Sequence, residues 1–302
     1  MMKRLVEEVF VTEGVPAYTF VPPPNFNDIF LDIRHPGKPV VIEGQSGTGK
    51  TTCVKKILER LGGETTVEYL GARIAADVTS IDELVRSPKW GRFIIDDFHR
   101  LSGSLQVQLA DLAKLSAEQG QEQSSLPKLV LIGINQVGSD LIQLVPDIAK
   151  RTGLHRIRPG TQSDIQKLIE SGCNELNIEI VRWDQIYEES KGDYWLTQQL
   201  SQSICTMNDV LESQQAPRVL SFAVGDIRRR VVEKLKAAYY PAVKEFCRGR
   251  RFRPSNDPYY RVLKAVGQQD SSIVDLDELA NSTPEVRGSI NNIKERRLSV
   301  LL

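Results

Sequence analysis

The first half of the chain alternates short, almost unbroken apolar runs with longer segments in which apolar residues recur every three or four positions. The runs at 38–43 (KPVVIE), 66–70 (TVEYL), 92–96 (RFIID), 128–134 (KLVLIGI) and 154–157 (LHRI) are too short for helices and predict strands. The run at 128–134 is the most continuously apolar, as expected of a central strand buried on both faces of a parallel sheet. Helical spacing falls between them at 51–61 (TTCVKKILERL, stopped by Gly62-Gly63), 80–86 and 101–117. The second of these opens on Ser80-Ile81-Asp82-Glu83, the spacing of a capping box. Strands separated by helices in this way predict an α/β fold with a parallel sheet flanked by helices.

From about residue 161 the pattern turns helical, with segments at 161–176, 181–189, 193–212 and 225–239. A basic break, Arg248-Gly249-Arg250-Arg251-Phe252-Arg253-Pro254, precedes a last segment with three short helical patterns at 259–266, 275–280 and 283–297. The expected division is therefore a core over 1–160, a helical domain over 161–245, and a basic linker with a small domain over 246–302.

Composition narrows the class. The 302 residues are 40% hydrophobic and 26% charged, enough to bury ordinary cores. The formal net charge is zero, so nothing global points to nucleic acid or membrane, but residues 226–254 hold ten Lys/Arg against three Asp/Glu. No stretch of 18 apolar residues exists, so no transmembrane helix is expected, and the N-terminal run carries acids that do not suit a signal peptide. Cys53, Cys173, Cys205 and Cys247 lie far apart with no C-x-x-C pair, which points to reduced thiols and a cytoplasmic protein. His35, His99 and His155 are isolated and suggest no zinc site.

The candidate chemistry begins directly after the first strand. Gly44-Gln45-Ser46-Gly47-Thr48-Gly49-Lys50-Thr51, followed by Thr52, matches the phosphate-binding P-loop pattern. The glycines let successive N–H groups point at phosphate oxygens, and the strand–loop–helix context sets those phosphates at a helix N-terminus. Lys50 is expected to reach the β- and γ-phosphates of ATP, and the Thr51 hydroxyl to hold Mg²⁺.

A P-loop needs partners to do chemistry. Phe93-Ile94-Ile95-Asp96-Asp97 ends a strand in two acids about 46 residues beyond Lys50, where ligands of such sheets sit. Asp96 is typed to hold the metal with Thr51, and Asp97 to orient or deprotonate an attacking water. Asn135, at the tip of the central strand, could bond the γ-phosphate or that water; a turn-forming asparagine is the alternative. Arg151 could face a neighbouring subunit's γ-phosphate, or could be a solvated surface arginine; Arg156 and Arg158 are lesser candidates.

On these residues the chain resembles the AAA+ ATPases. GQSGTGKT resembles Walker A, FIIDD Walker B, LIGIN the sensor-1 strand, and KRTGLHRIRP the segment carrying the arginine finger. The helices after residue 161 resemble the lid domain. The last segment, with Leu279-Ala280 and residues 290–298, resembles the winged helix of the origin-recognition and replication-licensing branch. The resemblance spans about residues 15–302 and implies ATP held between subunits of a homo-oligomer. It also implies that Tyr18-Thr19-Phe20-Val21-Pro22-Pro23-Pro24 packs on adenine through Phe20 and Val21, although a plain packing strand fits those residues equally.

Two departures stand out. Walker B ends Asp-Asp where the family usually has Asp-Glu, and the turn Gly192-Asp193-Tyr194-Trp195 lacks the sensor-2 arginine. Arg228, Arg229 and Arg230 are possible substitutes. The shorter second acid implies slow turnover. Both features resemble the STAND class of signal-transduction ATPases, and Asp96-Asp97-Phe98-His99-Arg100-Leu101 resembles bacterial immune ATPases.

Two readings remain open. In one, an ATPase assembles on double-stranded DNA through the basic stretch and the winged helix. In the other, a regulatory switch controls a defence or signalling complex with an effector protein and does not itself bind DNA. A kinase using the P-loop fits less well, because the long helical region lies after the sheet.

Overall fold

The structure is a computed structural model that describes residues 3–62, 67–119, 126–134, 150–248, 258–269 and 274–295. It falls into two compact units, residues 1–202 with 210–219, and residues 203–209 with 220–302.

The first unit is built on five strands: β1 (Val40–Glu43), β2 (Val67–Gly71), β3 (Gly91–Asp96), β4 (Pro127–Gly133) and β5 (Gly153–Arg156). All pair in parallel, in the order β2-β3-β4-β1-β5. Successive side chains alternate between the two faces. On one face Val41, Phe93, Ile95, Leu129 and Leu131 pack among Ile81 and Leu84 of the helix Ala75–Arg86 and Leu109 and Leu112 of the helix Gly103–Gln119. On the other, Ile42, Ile94, Val130 and Ile132 pack among Ile29 and Ile33 of the helix Phe26–Arg34 and Val54 and Ile57 of the helix Lys50–Leu61. Because β4 is covered on both faces, every one of its residues is buried, Lys128 included, as the apolar run 129–132 at its centre requires.

All five expected strands and the helices between them are present, with shifted boundaries. The helix Ala75–Arg86 starts five residues before the expected 80, and the Ser80 hydroxyl donates to the Ala76 carbonyl inside it rather than capping an end. The helix Phe26–Arg34 was not anticipated. The helix expected over 193–212 runs only over Tyr194–Met207, because the Asn208 amide bonds the Ile204 carbonyl and Asp209 turns left-handed at φ 53°. Two strands of three residues, β6 (Ile178–Ile180) and β7 (Arg218–Leu220), form a separate small sheet and are too short to leave a period in the sequence.

The second unit contains a 25-residue helix, Val224–Arg248, that passes through Pro241. The sequence predicts a stop at 239, just before that proline. The helix continues because Phe246 is buried in the terminal cluster, which offsets the one backbone bond lost at Pro241. That cluster gathers Val262 of the helix Pro258–Val266, Leu279 of Leu276–Ser282, and Ile290 and Ile293 of Arg287–Glu295. The basic residues 249–254, and the start of the expected wing beyond 295, lie outside the described residues.

Candidate nucleotide-binding site

The site forms at the C-terminal ends of β1 and β3, which flank β4. The P-loop leaves β1 at Gly44 and enters the helix Lys50–Leu61 with Gly49 as a left-handed N-cap at φ 84°. The Thr48 hydroxyl donates to the Gln45 carbonyl at 2.8 Å and braces the loop, while Ser46 at its crown is exposed. Lys50 folds back, its Nζ donating to the carbonyls of Gly44 at 2.8 Å and Gln45 at 2.6 Å. Burial lowers the Lys50 pKa, and the carboxylates of Asp96, Asp97 and Asp193 oppose that shift. Thr52 follows Thr51 in the first turn of the same helix and is half-buried.

The Thr51 hydroxyl donates to Asp96 Oδ2 at 2.9 Å. A hydroxyl and a carboxylate adjacent at a helix N-terminus are the oxygen donors that suit Mg²⁺. The residues therefore fit the metal and the nucleotide that the fold implies, and Thr51 and Asp96 are where the metal would be held.

Two residues that the sequence reading missed hold the acids. The Tyr69 hydroxyl donates to Asp96 Oδ2. Arg73 binds both oxygens of Asp97, through Nε at 2.5 Å and Nη2 at 3.1 Å. Tyr69 lies in the middle of β2 and Arg73 in the turn after it, and β2 pairs with β3 in the register Gly71↔Asp96. Burial, with the Asp96 carboxylate alongside, keeps the Tyr69 phenol protonated far above its ordinary range. Asp97 is itself left-handed, at φ 56° and ψ 36°. This turn swings its carboxylate out of line with the strand, while its N–H donates to Asp96 Oδ1 at 2.8 Å.

The remaining expectations divide. Arg156 is the register partner of Glu43 on the neighbouring strand, and its guanidinium donates to the buried Glu43 carboxylate at 2.6 and 2.8 Å. It thereby neutralises a charge one residue before the P-loop. Arg151 lies in the exposed turn before β5, paired with Glu118 at 2.8 Å. Phe20 is half-buried against Phe26, with ring centres 5.8 Å apart, and Val21 beside it is half-buried. Asn135 lies outside the described residues. Trp195, in the turn that lacks a sensor-2 arginine, donates its indole N–H to the Thr12 carbonyl at 2.9 Å. Arg228, Arg229 and Arg230 are exposed on the long helix of the second unit.

Strand order, phosphate loop and paired acids give a P-loop fold with a parallel five-stranded sheet. Solved structures with this fold include the Orc1 protein of Aeropyrum pernix in complex with DNA, with a TM-score of 0.55 and 16% identity over 94% of this chain and 87% of that one. They also include a single-substitution mutant of Thermotoga maritima RuvB, with a TM-score of 0.52 and 18% identity over 87% of this chain and 82% of that one. No protein-family model matches the sequence, and no curated protein does.

Proposed function

We propose that this protein binds Mg·ATP at the P-loop, hydrolyses it slowly, and uses its nucleotide state to control assembly into a homo-oligomer. The observation that carries this reading is the Thr51 hydroxyl 2.9 Å from Asp96, set at the base of a loop whose lysine is already desolvated. The metal would neutralise phosphate charge. Lys50 exchanges its two loop carbonyls for phosphate oxygens, a charge-assisted contact stronger than the one it leaves. Asp97 accepts a hydrogen from the attacking water and orients it. Slow turnover follows from two features: Asp97 is one methylene shorter than glutamate, and Arg73 occupies both of its oxygens.

The three-part division belongs to the same reading, with a core over 1–160, a lid over 161–245 and a winged-helix-like domain over 246–302. Gln45, Ser46, Thr48 and Thr52 would line the phosphates, Phe20 and Val21 the adenine, Asn135 the water, and Arg151 the neighbouring subunit's nucleotide. Double-stranded DNA is the partner favoured by the basic stretch 248–254 and by the Orc1 neighbour, whose structure contains DNA. Among the described residues no helix is long and apolar enough to cross a membrane, and the reading is of a cytoplasmic protein.

A second reading rests on the absence of an arginine at Trp195 and on the Asp96-Asp97 pair. In it the protein is a STAND-like switch that holds nucleotide and recruits an effector in a defence or signalling complex without binding DNA. Mass in solution with ADP, with a non-hydrolysable ATP analogue, and with each plus duplex DNA separates the two. Larger assemblies that need both the analogue and DNA support the first reading, and analogue-dependent assemblies indifferent to DNA support the second. No heat of association with Mg·ATP for folded protein would refute both.

A further inference from the structure

The turn Gly192-Asp193 starts the helix Tyr194–Met207 and is fastened to the segment that follows β5. The Gly160 N–H donates to the Gly192 carbonyl at 2.8 Å. Gly192 has φ +85°, and a side chain there would run into the Gly160 carbonyl. Asp193 accepts the Leu196 N–H at 2.8 Å as the cap of its helix.

The same carboxylate also lies on the P-loop. A Cβ at Gly47 would overlap both Asp193 oxygens, so Gly47 is the residue that lets the acid approach the loop backbone. The polar groups around it are Lys50 on the P-loop helix, whose field it shares with Asp96 at the end of β3 and Asp97 just after it, and the N–H groups of Trp195 and Leu196 on its own helix. Burial raises its pKa, and those N–H groups and Lys50 pull it back down. An acid and a lysine are therefore set around the same loop at the place where phosphate oxygens would come.

We propose that Asp193 is an intramolecular anion covering the phosphate end of the nucleotide site, which must be displaced before that site can hold phosphates and therefore limits nucleotide affinity. The proposal rests on the nucleotide reading given above. Two anions drawn to Lys50 in a desolvated loop repel one another, so the charge on Asp193 should weaken phosphate binding by about tenfold or more. Displacing Asp193 also removes the cap of the helix Tyr194–Met207, so binding of the phosphates and the start of that helix are mechanically joined.

Asn caps helices as well as Asp, so Asp193→Asn removes the charge and leaves the cap. Calorimetry on the full chain with Mg·ATP and Mg·ADP should show D193N binding both about tenfold more tightly than the parent, with an unchanged melting temperature in the absence of nucleotide. Asp193→Ser, which also caps but is shorter, should bind at least as tightly as D193N. Equal or weaker binding by both folded variants, while the parent binds nucleotide, overturns the proposal and leaves the nucleotide reading intact. A parent and variants that all fail to bind overturn that reading, and this inference falls with it.

Discussion

Arg73 grips both carboxylate oxygens of Asp97, at 2.5 Å through Nε and 3.1 Å through Nη2, so the acid proposed to orient water is held by a cation from the turn after the adjacent strand. The guanidinium is largely exposed, which keeps the pair weak enough to open. Arg73→Gln should raise the single-turnover hydrolysis rate by roughly threefold to tenfold and leave Mg·ATP affinity within about threefold. A lower rate in that variant would make Arg73 a positioning group instead of a restraint.

Binding and chemistry should separate cleanly between two residues. Lys50→Ala should weaken Mg·ATP binding by about tenfold to a hundredfold, the range expected for loss of a charge-assisted bond. Asp97→Asn should keep binding and slow hydrolysis by at least about a hundredfold. Titration by calorimetry beside a phosphate-release assay tests the pair, and equal loss of binding in both variants contradicts the division.

Tyr69 and Thr51 both donate to Asp96 Oδ2. Removing one donor from a part-buried carboxylate costs about 1.5–3 kcal/mol in the unliganded protein. Tyr69→Phe should therefore lower the melting temperature without nucleotide, and Mg·ATP should restore much of the difference, because a metal at Asp96 supplies the missing charge compensation. A deficit of the same size with and without Mg·ATP would place Tyr69 outside the metal's reach.

Arg156→Ala should be destabilising, because it removes both guanidinium donors from the Glu43 carboxylate, of which only 2% of the side chain is exposed. Arg156→Lys should recover part of that loss. Denaturant unfolding of the two variants checks this, and a near-neutral Arg156→Ala would show that the pair contributes little to stability.

Lys128 gives the stability a pH dependence. Its ammonium donates to the Asp32 carbonyl at 2.6 Å and also to the Lys38 carbonyl, while burial and the nearby Arg92 push its pKa down to about 7 from 10.5. Between those values the unfolded chain binds the proton and the folded chain does not, so stability rises with pH through that window and is flat in this respect below it. The full shift corresponds to an upper bound of about 5 kcal/mol. Unfolding free energies measured from pH 7 to 9 should climb in the parent and climb less in Lys128→Met.

Much of the architecture was legible because parallel strands buried on both faces must be largely apolar, and their centres at 40–42, 93–95 and 129–132 are unbroken apolar runs. The P-loop was legible for a different reason. Its glycines, Lys50 and Thr51 act through backbone and first helical turn, so they must be contiguous in the chain. Asp96 could be read from its place at a strand end.

What the sequence by itself determined was the five strands of the main sheet and the strand–loop–helix that carries Lys50, because each depends on neighbours a few residues away. Only the tertiary structure decided what surrounds them. Tyr69 meets Asp96 across 27 residues, Arg156 meets Glu43 across 113, and Asp193 lies against Gly47 from the start of a much later helix. Strand register and the return of a late helix to the first loop set those meetings. Neither leaves a local period or motif, because the energy that fixes them comes from burying whole faces of the sheet.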